Sequence, residues 1–469
     1  MQGRASDRRF GWGQGNAGRG VNPRLHGTVA RVILFTCAAL LAACGGGENA
    51  APGPSRGEPS GVLAEAIAEA TAKVEPQVVS WRRDLHEHPE LSNREVRTSA
   101  LVARELERLG LTVRTEVAHT GVVALLEGNR PDPVVALRAD MDGLPVTEET
   151  GLPFASRVRT EYAGRDVGVM HACGHDAHVA ILLGVAEVLA GMRDELPGSV
   201  LFVFQPAEEG APAGEEGGAD LMLKEGVFAN PKPGAIFGLH VVPQHEAGEI
   251  GYRARGAMAS SDRMEITIRG RQTHAAYPWL GVDPIAVAAR TILALQALPA
   301  RQVDARVPAV VSIGRIAGGL RSNIIPDSVE LEGTIRSLEP SVREDLHHYV
   351  RKTAEGIAQA AGARAEVTIH RGYPVTWNDP ELVRNALPSL EGVAPGRVVE
   401  ALPRTGAEDF SYFAQEVPGF YFWLGIRSPG TRLEDAAPNH SPLFRVDEDA
   451  LELGVRALAN VAVDWLAAN

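Results

Sequence analysis

Cysteine is scarce in this chain: its 469 residues include three, Cys37, Cys44 and Cys173. The first two lie in or at the end of a short apolar segment near the N-terminus, so Cys173 is the one thiol in the body of the chain. A lone thiol cannot form an intramolecular disulfide. A fold that depends on internal disulfides is therefore excluded.

Aromatic residues and positive charge are also in short supply. Phe, Trp and Tyr make up 5% of the residues, and the formal net charge is −13. Few aromatic side chains leave little surface on which single-stranded bases could stack, and an acidic protein repels a phosphate backbone. We therefore expect no nucleic acid among the partners.

The apolar segment near the N-terminus has the length of a secretion signal. VILFTCAALLAAC covers residues 32–44, whereas a helix needs about 20 residues to span a bilayer. Its end, LAAC, resembles the lipobox of bacterial lipoproteins, whose cysteine carries the lipid. We predict a lipoprotein signal peptide over residues 1–44, lipidation of Cys44, and a flexible Gly- and Pro-rich tether over residues 45–60. The protein would then be exported, periplasmic or facing the cell surface, and held at a bacterial membrane by its lipid alone; a plain secretory signal is the alternative.

The pattern of apolar residues predicts an α/β fold. Residues 62–88 and 94–109 have helical periodicity, and residues 177–189 form a further helical stretch. Between and after them come short apolar runs typical of buried strands, at 121–126, 134–137, 199–204 and 235–239. Strands that alternate with helices indicate a central, mostly parallel sheet. The length of the chain also favours more than one domain.

Residues 253–372 have a different pattern, in which strands and helices follow the order β-α-β-β-α-β. This is the split βαβ, or ferredoxin-like, arrangement, and it forms a complete small domain. We predict that it is inserted into the larger domain, whose two parts are residues 61–252 and 373–469.

The most unusual stretch is GVMHACGHDAH at residues 168–178, which surrounds the lone cysteine with histidines. Side chains two positions apart diverge by about 200° on a helix but point the same way in an extended loop. Cys173 and His175 lie in the loop before the predicted helix, so both can face one metal ion. A thiolate nucleophile at a helix N-terminus fits the same position, and the segment alone does not decide between the two.

Two adjacent carboxylates, Glu208 and Glu209, follow the predicted strand at 199–204 and a proline. Neighbouring side chains project in different directions, so one carboxylate can bind an ion while the other contacts water. The alternative is a solvated acidic loop, since Glu215 and Glu216 form a second acidic pair nearby.

Further polar side chains follow apolar strands. His240 ends one such run, and Asp140 and Asp142 follow another. The carboxyl edge of an open α/β sheet is where ligands bind, and acids there can orient metal ligands. A structural histidine and an Asp-Gly turn are the alternatives. His440, in APNHSPLF, is ambiguous by itself.

Eight segments occur in a specific order along the chain: DMDGLP, MHACGHDAH, QPAEEG, GLHV, THAAYP, SNIIPD, GAEDF and NHSPLF. Together they resemble the dinuclear metallo-amidohydrolases related to aminoacylase and carboxypeptidase, in the branch that contains hippuricases and auxin-conjugate hydrolases. The resemblance runs from Ile67 to Trp465. Each segment alone is a modest signal, whereas the combination is specific.

The resemblance implies a site with two divalent metal ions, for which Mn, Zn, Co and Ni are all plausible. The implied metal ligands are Cys173, His175, Glu209, His240 and His440. Glu208 is similar to the family's general base, which activates water and returns the proton to the leaving amine. Asp140 matches the acid that orients a metal ligand, and Arg138 stands where other branches have a histidine.

The inserted domain is similar to the family's lid and dimerisation module. His274 resembles a lid histidine that reaches across a homodimer to stabilise the oxyanion, and Asn323 resembles a residue that binds the substrate's carboxylate. Arg336 is a second candidate for that carboxylate, with an exposed strand charge as its alternative. Glu408 and Asp409 match a segment near the cleft that has no assigned role.

The sequence therefore predicts a lipid-anchored, dimetal amidohydrolase that cleaves N-acyl or N-aroyl amino acids or small peptides. A first alternative is an amidase in which His175 activates Cys173 as the nucleophile. A second is a peptide-binding lipoprotein without catalysis. The loop at 210–218 is longer than in much of the branch, which leaves the acyl specificity open.

Overall fold

The computed structural model describes residues 61–469. The predicted signal peptide, Cys44 and the tether lie outside this range. In the part of the chain that the structure describes, every helix is too short or too polar to cross a membrane.

The described residues form nine α-helices and eighteen strands. The helices are α1 Gly61–Glu87, α2 Val96–Arg108, α3 His175–Gly191, α4 Gly218–Lys224, α5 Pro284–Arg301, α6 Pro340–Ala360, α7 Pro380–Val393, α8 Phe410–Glu416 and α9 Ala450–Ala468. The strands of the first half are β1 Thr112–Val117, β2 Gly121–Leu126, β3 Val134–Asp140, β4 Arg159–Tyr162, β5 Arg165–Gly168, β6 Ser199–Gln205, β7 Ala235–Glu246, β8 Ile250–Tyr252 and β9 Arg255–Met258. Those of the second half are β10 Asp262–Arg269, β11 Thr273–His274, β12 Ala309–Ala317, β13 Ile324–Ile325, β14 Ser328–Ser337, β15 Arg364–Arg371, β16 Thr376–Asn378, β17 Val398–Glu400 and β18 Gly419–Arg427.

The larger sheet has eight strands in the order β1-β2-β6-β3-β7-β18-β8-β17. Its four middle strands, β6, β3, β7 and β18, run parallel, and antiparallel pairs occur toward the edges. Every residue of β3 and β6 is buried, because α1, α3, α7 and α9 cover one face while α4 and α8 cover the other. Burial on both faces explains the continuous apolar runs in the sequence. The predicted central, mostly parallel sheet is confirmed.

The smaller sheet has four strands in the order β12-β14-β10-β15, all antiparallel. Along the chain its elements follow as β10-α5-β12-β14-α6-β15, the predicted β-α-β-β-α-β order. Residues alternate between buried and more exposed along β10, because α5 and α6 pack on one face only. Both helices begin with a proline in the first turn, and Asp283 caps α5 by accepting two backbone N–H groups.

The strand β7 is longer than the apolar run predicts. Its pairing with β3 ends at Gly238, but β18 continues alongside it to Glu246. His240 therefore lies inside β7, just past the last residue paired with β3, and not at the end of the strand. It still reaches the carboxyl edge of β3, next to Asp140.

Candidate metal centre

The segment Cys173-Gly174-His175 makes the sharp turn that begins α3. Gly174 has φ +96°, and a Cβ atom built on it would lie 2.2 Å from Cγ2 of Val241. Glycine is required here on both grounds, because other residues strain at positive φ and no space exists for a side chain. His175 is already the first residue of α3, whereas the sequence pattern placed it in the loop. The left-handed turn at Gly174 still lets Cys173 and His175 face one point.

The structure brings all five predicted metal ligands together. Sγ of Cys173 lies 3.3 Å from Nε2 of His240 and 3.3 Å from Nε2 of His440. Nε2 of His440 is also 3.0 Å from Oε1 of Glu209. Two donor sets share this sulfur, Cys173 with His175 and His240, and Cys173 with Glu209 and His440. Within each set the donor atoms lie within 4.8 Å of one another. Cys173 belongs to both sets, as a ligand shared by two ions would.

The donor atoms fit a pair of divalent ions. Bonds of about 2.0–2.3 Å to zinc place neighbouring donors roughly 3.3–3.8 Å apart, near the separations found here. Nε2 of His175 is buried and has no hydrogen-bond partner among the described residues, so it is available to an ion. Burial and the carboxylate of Glu209 raise the pKa of the Cys173 thiol well above its usual value, so a cation is needed to hold it as the thiolate. Thiolate, imidazole and carboxylate donors together suit Zn and the neighbouring transition metals.

Asp142 orients both halves of the site. Its Oδ1 lies 3.2 Å from Nδ1 of His175, so Nε2 of that ring points to the cluster. The same carboxylate accepts the backbone N–H groups of Glu208 and Glu209, at 3.1 Å each, and the Ser92 hydroxyl at 2.7 Å. Burial opposes the charged ring, but Asp140 and Asp142 raise the pKa of His175 to about 10 when no ion competes. The Asp-Gly turn was the sequence alternative for Asp142, and the structure gives it the contacts of an orienting acid.

Asp140, the acid expected to orient a metal ligand, contacts different partners. Its Oδ1 is 2.5 Å from Nδ1 of His178 and 3.8 Å from Nε2 of His175, and its other oxygen accepts from Arg138 at 2.6 Å. His178 in turn accepts the backbone N–H of Val241 at 2.9 Å, beside His240. Asp140 thus holds His178, which holds the backbone next to His240, whereas Asp142 contacts the ring of His175 directly. The role of Asp140 as the acid that orients a metal ligand stays a prediction.

Glu208 lies beside the ligands without belonging to the two sets that share Cys173. Its Oε2 is 3.9 Å from Nε2 of His175, and the Tyr373 hydroxyl donates to its backbone carbonyl at 2.7 Å. Burial, together with the carboxylates of Glu408 and Glu209, raises the pKa of Glu208 well above its usual value. A buried carboxylate with a raised pKa is suited to accept a proton and pass it on.

Behind Glu208 lies a buried ionic network centred on Arg138. Arg138 donates to Asp140, to Glu408 at 2.8 Å and to Asp409 at 3.0 Å, and the Tyr421 hydroxyl donates to Glu408 at 2.8 Å. Burial raises the pKa of Asp409 to about 8, although Arg138 opposes the rise. Glu408 and Asp409, to which the sequence assigned no role, thus connect the surroundings of Glu208 to Arg138 on β3.

A cavity of about 200 Å³ opens beside the cluster. Cys173, Glu208, His240 and His440 are among the residues that line it. Asn439 also lines it, and its amide donates to the backbone carbonyls of Cys173 at 3.1 Å and Val241 at 3.3 Å. Asn439 was not predicted as a site residue; its position next to His440 is the feature of the sequence that indicates it.

The three predicted lid residues lie apart from this cavity. His274 is exposed and pairs with Ile324 across β11 and β13. The backbone carbonyl of Asn323 accepts the backbone N–H of Ala275 at 3.0 Å. His274 and Asn323 are therefore neighbours. Arg336 is half-buried on β14. In the described chain, none of the three lines the cavity beside the metal cluster.

His86 and His88 lie in and just after the last turn of α1. His86 is buried, with Nδ1 2.8 Å from Asp176 and Nε2 3.2 Å from Glu148, and Arg82 pairs with the same Asp176 at 2.9 Å. These contacts tie α1 to the first turn of α3. His88 lies half-buried just after α1.

Comparison with known proteins gives matches over most of the chain. Residues 136–464 match the model described as Peptidase family M20/M25/M40. Thermostable carboxypeptidase 2 of Saccharolobus solfataricus is 40% identical over 405 residues, which cover 86% of this chain and 99% of that protein. N-acetylcysteine deacetylase of Bacillus subtilis is 40% identical over 388 residues, or 82% and 96% of the two chains. A Bacillus subtilis crystal structure described as a dinuclear metal binding peptidase matches with a TM-score of 0.71 and 38% identity, covering 84% of this chain and 99% of that one.

Proposed function

Because the chain belongs to the peptidase family M20/M25/M40, we propose that it is a dimetal amidohydrolase that cleaves N-acyl or N-aroyl amino acids or small peptides. The family, the α/β fold and the hydrolysis of amide bonds, all predicted from the sequence, are confirmed. The observation that carries the finer proposal is the pair of donor sets that share Cys173, with Glu208 beside them.

The five ligands, Glu208 and Asp142 have different roles in the proposed reaction. Two divalent ions held by the five ligands would polarise the substrate carbonyl and make water more acidic. Glu208 takes the proton of the attacking water and delivers it to the leaving amine, for which its buried position next to the ligands is suited. Asp142 fixes the positions of Glu208 and His175 relative to each other, since it accepts the backbone N–H of Glu208 and contacts the ring of His175.

The names of the two relatives support a substrate with a free carboxylate on the amine side. A carboxypeptidase releases a C-terminal residue, and N-acetylcysteine is an amide of an amino acid. In both cases the leaving amine carries a carboxylate. We take this as the feature common to the substrates of this chain.

Catalysis by Cys173 as a nucleophile is the second candidate. A nucleophilic thiol needs a lowered pKa and a positive neighbourhood. Cys173 is buried beside Glu208 and Glu209, which favour its protonated form, and its sulfur contacts two imidazoles, as a ligand's would. These contacts favour Cys173 as a metal ligand over Cys173 as a nucleophile.

Free amino acid should be released from N-acetyl or N-benzoyl amino acids after incubation with Mn²⁺ or Zn²⁺. We expect EDTA to abolish the activity and the divalent ion to restore it, because the ligands without ions cannot polarise the carbonyl. The measurement is amine release by a ninhydrin-type assay. The control is the matched amide whose amine lacks the carboxylate, which should react far more slowly. Activity that survives EDTA but not iodoacetamide would reject the metal mechanism in favour of the thiol.

The inserted domain supports a homodimer. The strand β12 is an edge of the smaller sheet, and Val310 and Ile316 on it are exposed, as are Ile285 and Leu293 on α5. An unpaired edge flanked by apolar side chains is suited to pair with a second copy. Since His274 lies apart from the cavity of its own chain, we place its action at the active site of the partner subunit.

Mixing two inactive variants should restore activity if His274 acts across the dimer. His274→Ala and Glu208→Gln should each be nearly inactive alone, and their co-expression should recover up to about a quarter of the wild-type rate, because half of the dimers are hybrids with one complete site. The measurements are activity and molar mass by light scattering. A monomeric wild type, or hybrids without activity, would contradict the proposal.

A further inference from the structure

Arg404 lies at the metal cavity without a role in the proposed reaction. Its backbone is paired with residues 257–259, since its N–H donates to the carbonyl of Ala257 at 2.9 Å and its carbonyl accepts from the N–H of Ala259 at 3.0 Å. The guanidinium lies 5.1 Å from the centre of the Trp423 ring and donates to Oε1 of Gln244 at 3.0 Å. Arg404 thus presents a positioned charge to the cavity that Cys173 and Glu208 line.

No carboxylate in the described range pairs with Arg404. No carboxylate oxygen of residues 61–469 lies within 4.0 Å of its guanidinium. Glu408 lines the same cavity, but its oxygens accept from Arg138 and Tyr421. Burial lowers the pKa of Arg404 to about 10, so the group is still positive at neutral pH. A partly desolvated charge without a partner is costly to keep, and in a cavity it marks a place for an anionic ligand.

The cavity walls indicate which end of the substrate lies there. Val242, Met258 and Trp423 give the cavity an apolar wall next to Arg404. Asn323, the residue proposed for the amine-side carboxylate, does not line it. If Asn323 binds the amine-side carboxylate, as the proposed function has it, this cavity is left for the acyl side of the substrate. A volume of about 200 Å³ suits a short acyl chain.

We propose that Arg404 is a specificity residue that selects acyl groups ending in a carboxylate, such as malonyl, succinyl or glutaryl groups. This inference rests on the proposed function. The apolar wall would contact the methylene carbons of the acyl chain, and the planar guanidinium would bind the terminal carboxylate through two parallel hydrogen bonds. Stacking on Trp423 and the bond to Gln244 hold the guanidinium in place before the substrate arrives.

The test compares carboxyacyl and plain acyl derivatives of one amino acid, the one cleaved fastest as its N-acetyl derivative. The pairs are malonyl with propionyl, succinyl with butyryl and glutaryl with pentanoyl, which match in carbon count. We expect kcat/KM of the wild type to favour one carboxyacyl group by tenfold or more, since a hydrogen-bonded charge is worth about that factor or more. Arg404→Met should remove the preference and leave the plain acyl substrate within about threefold. Arg404→Lys should keep part of it, because it retains the charge but not the planar fork.

Arg384→Met is the matched control, because Arg384 is exposed on α7 and pairs with Glu381. It removes the same charge away from the cavity and should leave the preference unchanged. Equal rates for every pair, or equal losses on both members in Arg404→Met, would overturn the inference while the proposed function stands. A loss that follows the amine-side carboxylate, seen when the amino acid is replaced by its amide, would overturn the acyl assignment. No amide hydrolysis at all would reject the proposed function itself.

Discussion

Glu208→Gln should lower kcat by about 10³-fold or more while two metal ions remain bound. Glutamine has nearly the same shape as glutamate but cannot accept a proton at neutral pH. The backbone of residue 208 would still be held by Asp142 and Tyr373, so the site should keep its geometry. We expect KM to change little, because Glu208 acts in the proton transfer and not in substrate binding. The measurement combines steady-state kinetics with metal analysis of the same sample.

Glu216→Gln is the matched control for this variant. Glu216 is exposed in the acidic loop that follows and pairs with Lys224 at 3.0 Å. If the acidic segment were merely a solvated loop, both variants would behave alike. A Glu208→Gln enzyme with a near-normal rate would reject Glu208 as the general base, and loss of metal from it would make Glu208 a ligand instead.

Cys173→Ala should lose both metal ions, and the activity should fall by about 10³-fold or more. The reason is the shared position of Cys173, whose sulfur belongs to both donor sets. His440→Ala removes a ligand from one set only, so it should lose about one ion per chain and give a contrasting result. Elemental mass spectrometry gives the ion count per chain.

Thermal unfolding in the presence of EDTA is the control for the Cys173 variant. Wild type and variant should then unfold at similar temperatures, which shows that the chain folds without its thiol. A Cys173→Ala protein that keeps two ions would contradict the shared ligand. If it kept the ions and still lacked activity, the thiol would be the nucleophile after all.

The set of candidate metal ligands could be predicted through the family resemblance, because the order of the motifs is specific while each motif alone left an alternative open. The topology explains why residues from several of these motifs meet. Parallel strands bring their carboxyl ends to one edge, so residues that follow β3 and β6, together with His240 on β7, meet there although they are distant in the chain. The pattern of apolar residues predicted the central, mostly parallel sheet and the β-α-β-β-α-β order of elements along residues 253–372, but not the order of the strands within either sheet. The end of β7 was missed because its length depends on β18, a strand that lies almost 200 residues later.

The supporting residues could not be predicted in the same way. Asp140 and Asp142 are two positions apart, and only the direction of each side chain decides which one meets His175. Tyr373 lies outside the quoted motifs and Arg404 lies two residues before GAEDF, and the contacts of both side chains depend on how their segments pack. The proposed action of His274 would depend on a second copy of the chain, which one sequence does not contain.

Asp142 links parts of the site that come from separate segments of the chain. One carboxylate holds the ring of His175 and the peptide that carries Glu208 and Glu209. A change that shifts the metal would therefore shift the base as well, and most such changes would be lost to selection. The wall formed by Val242, Met258 and Arg404 has no such link to the base. New acyl preferences are thus expected to evolve through this wall, with the catalytic turns left unchanged.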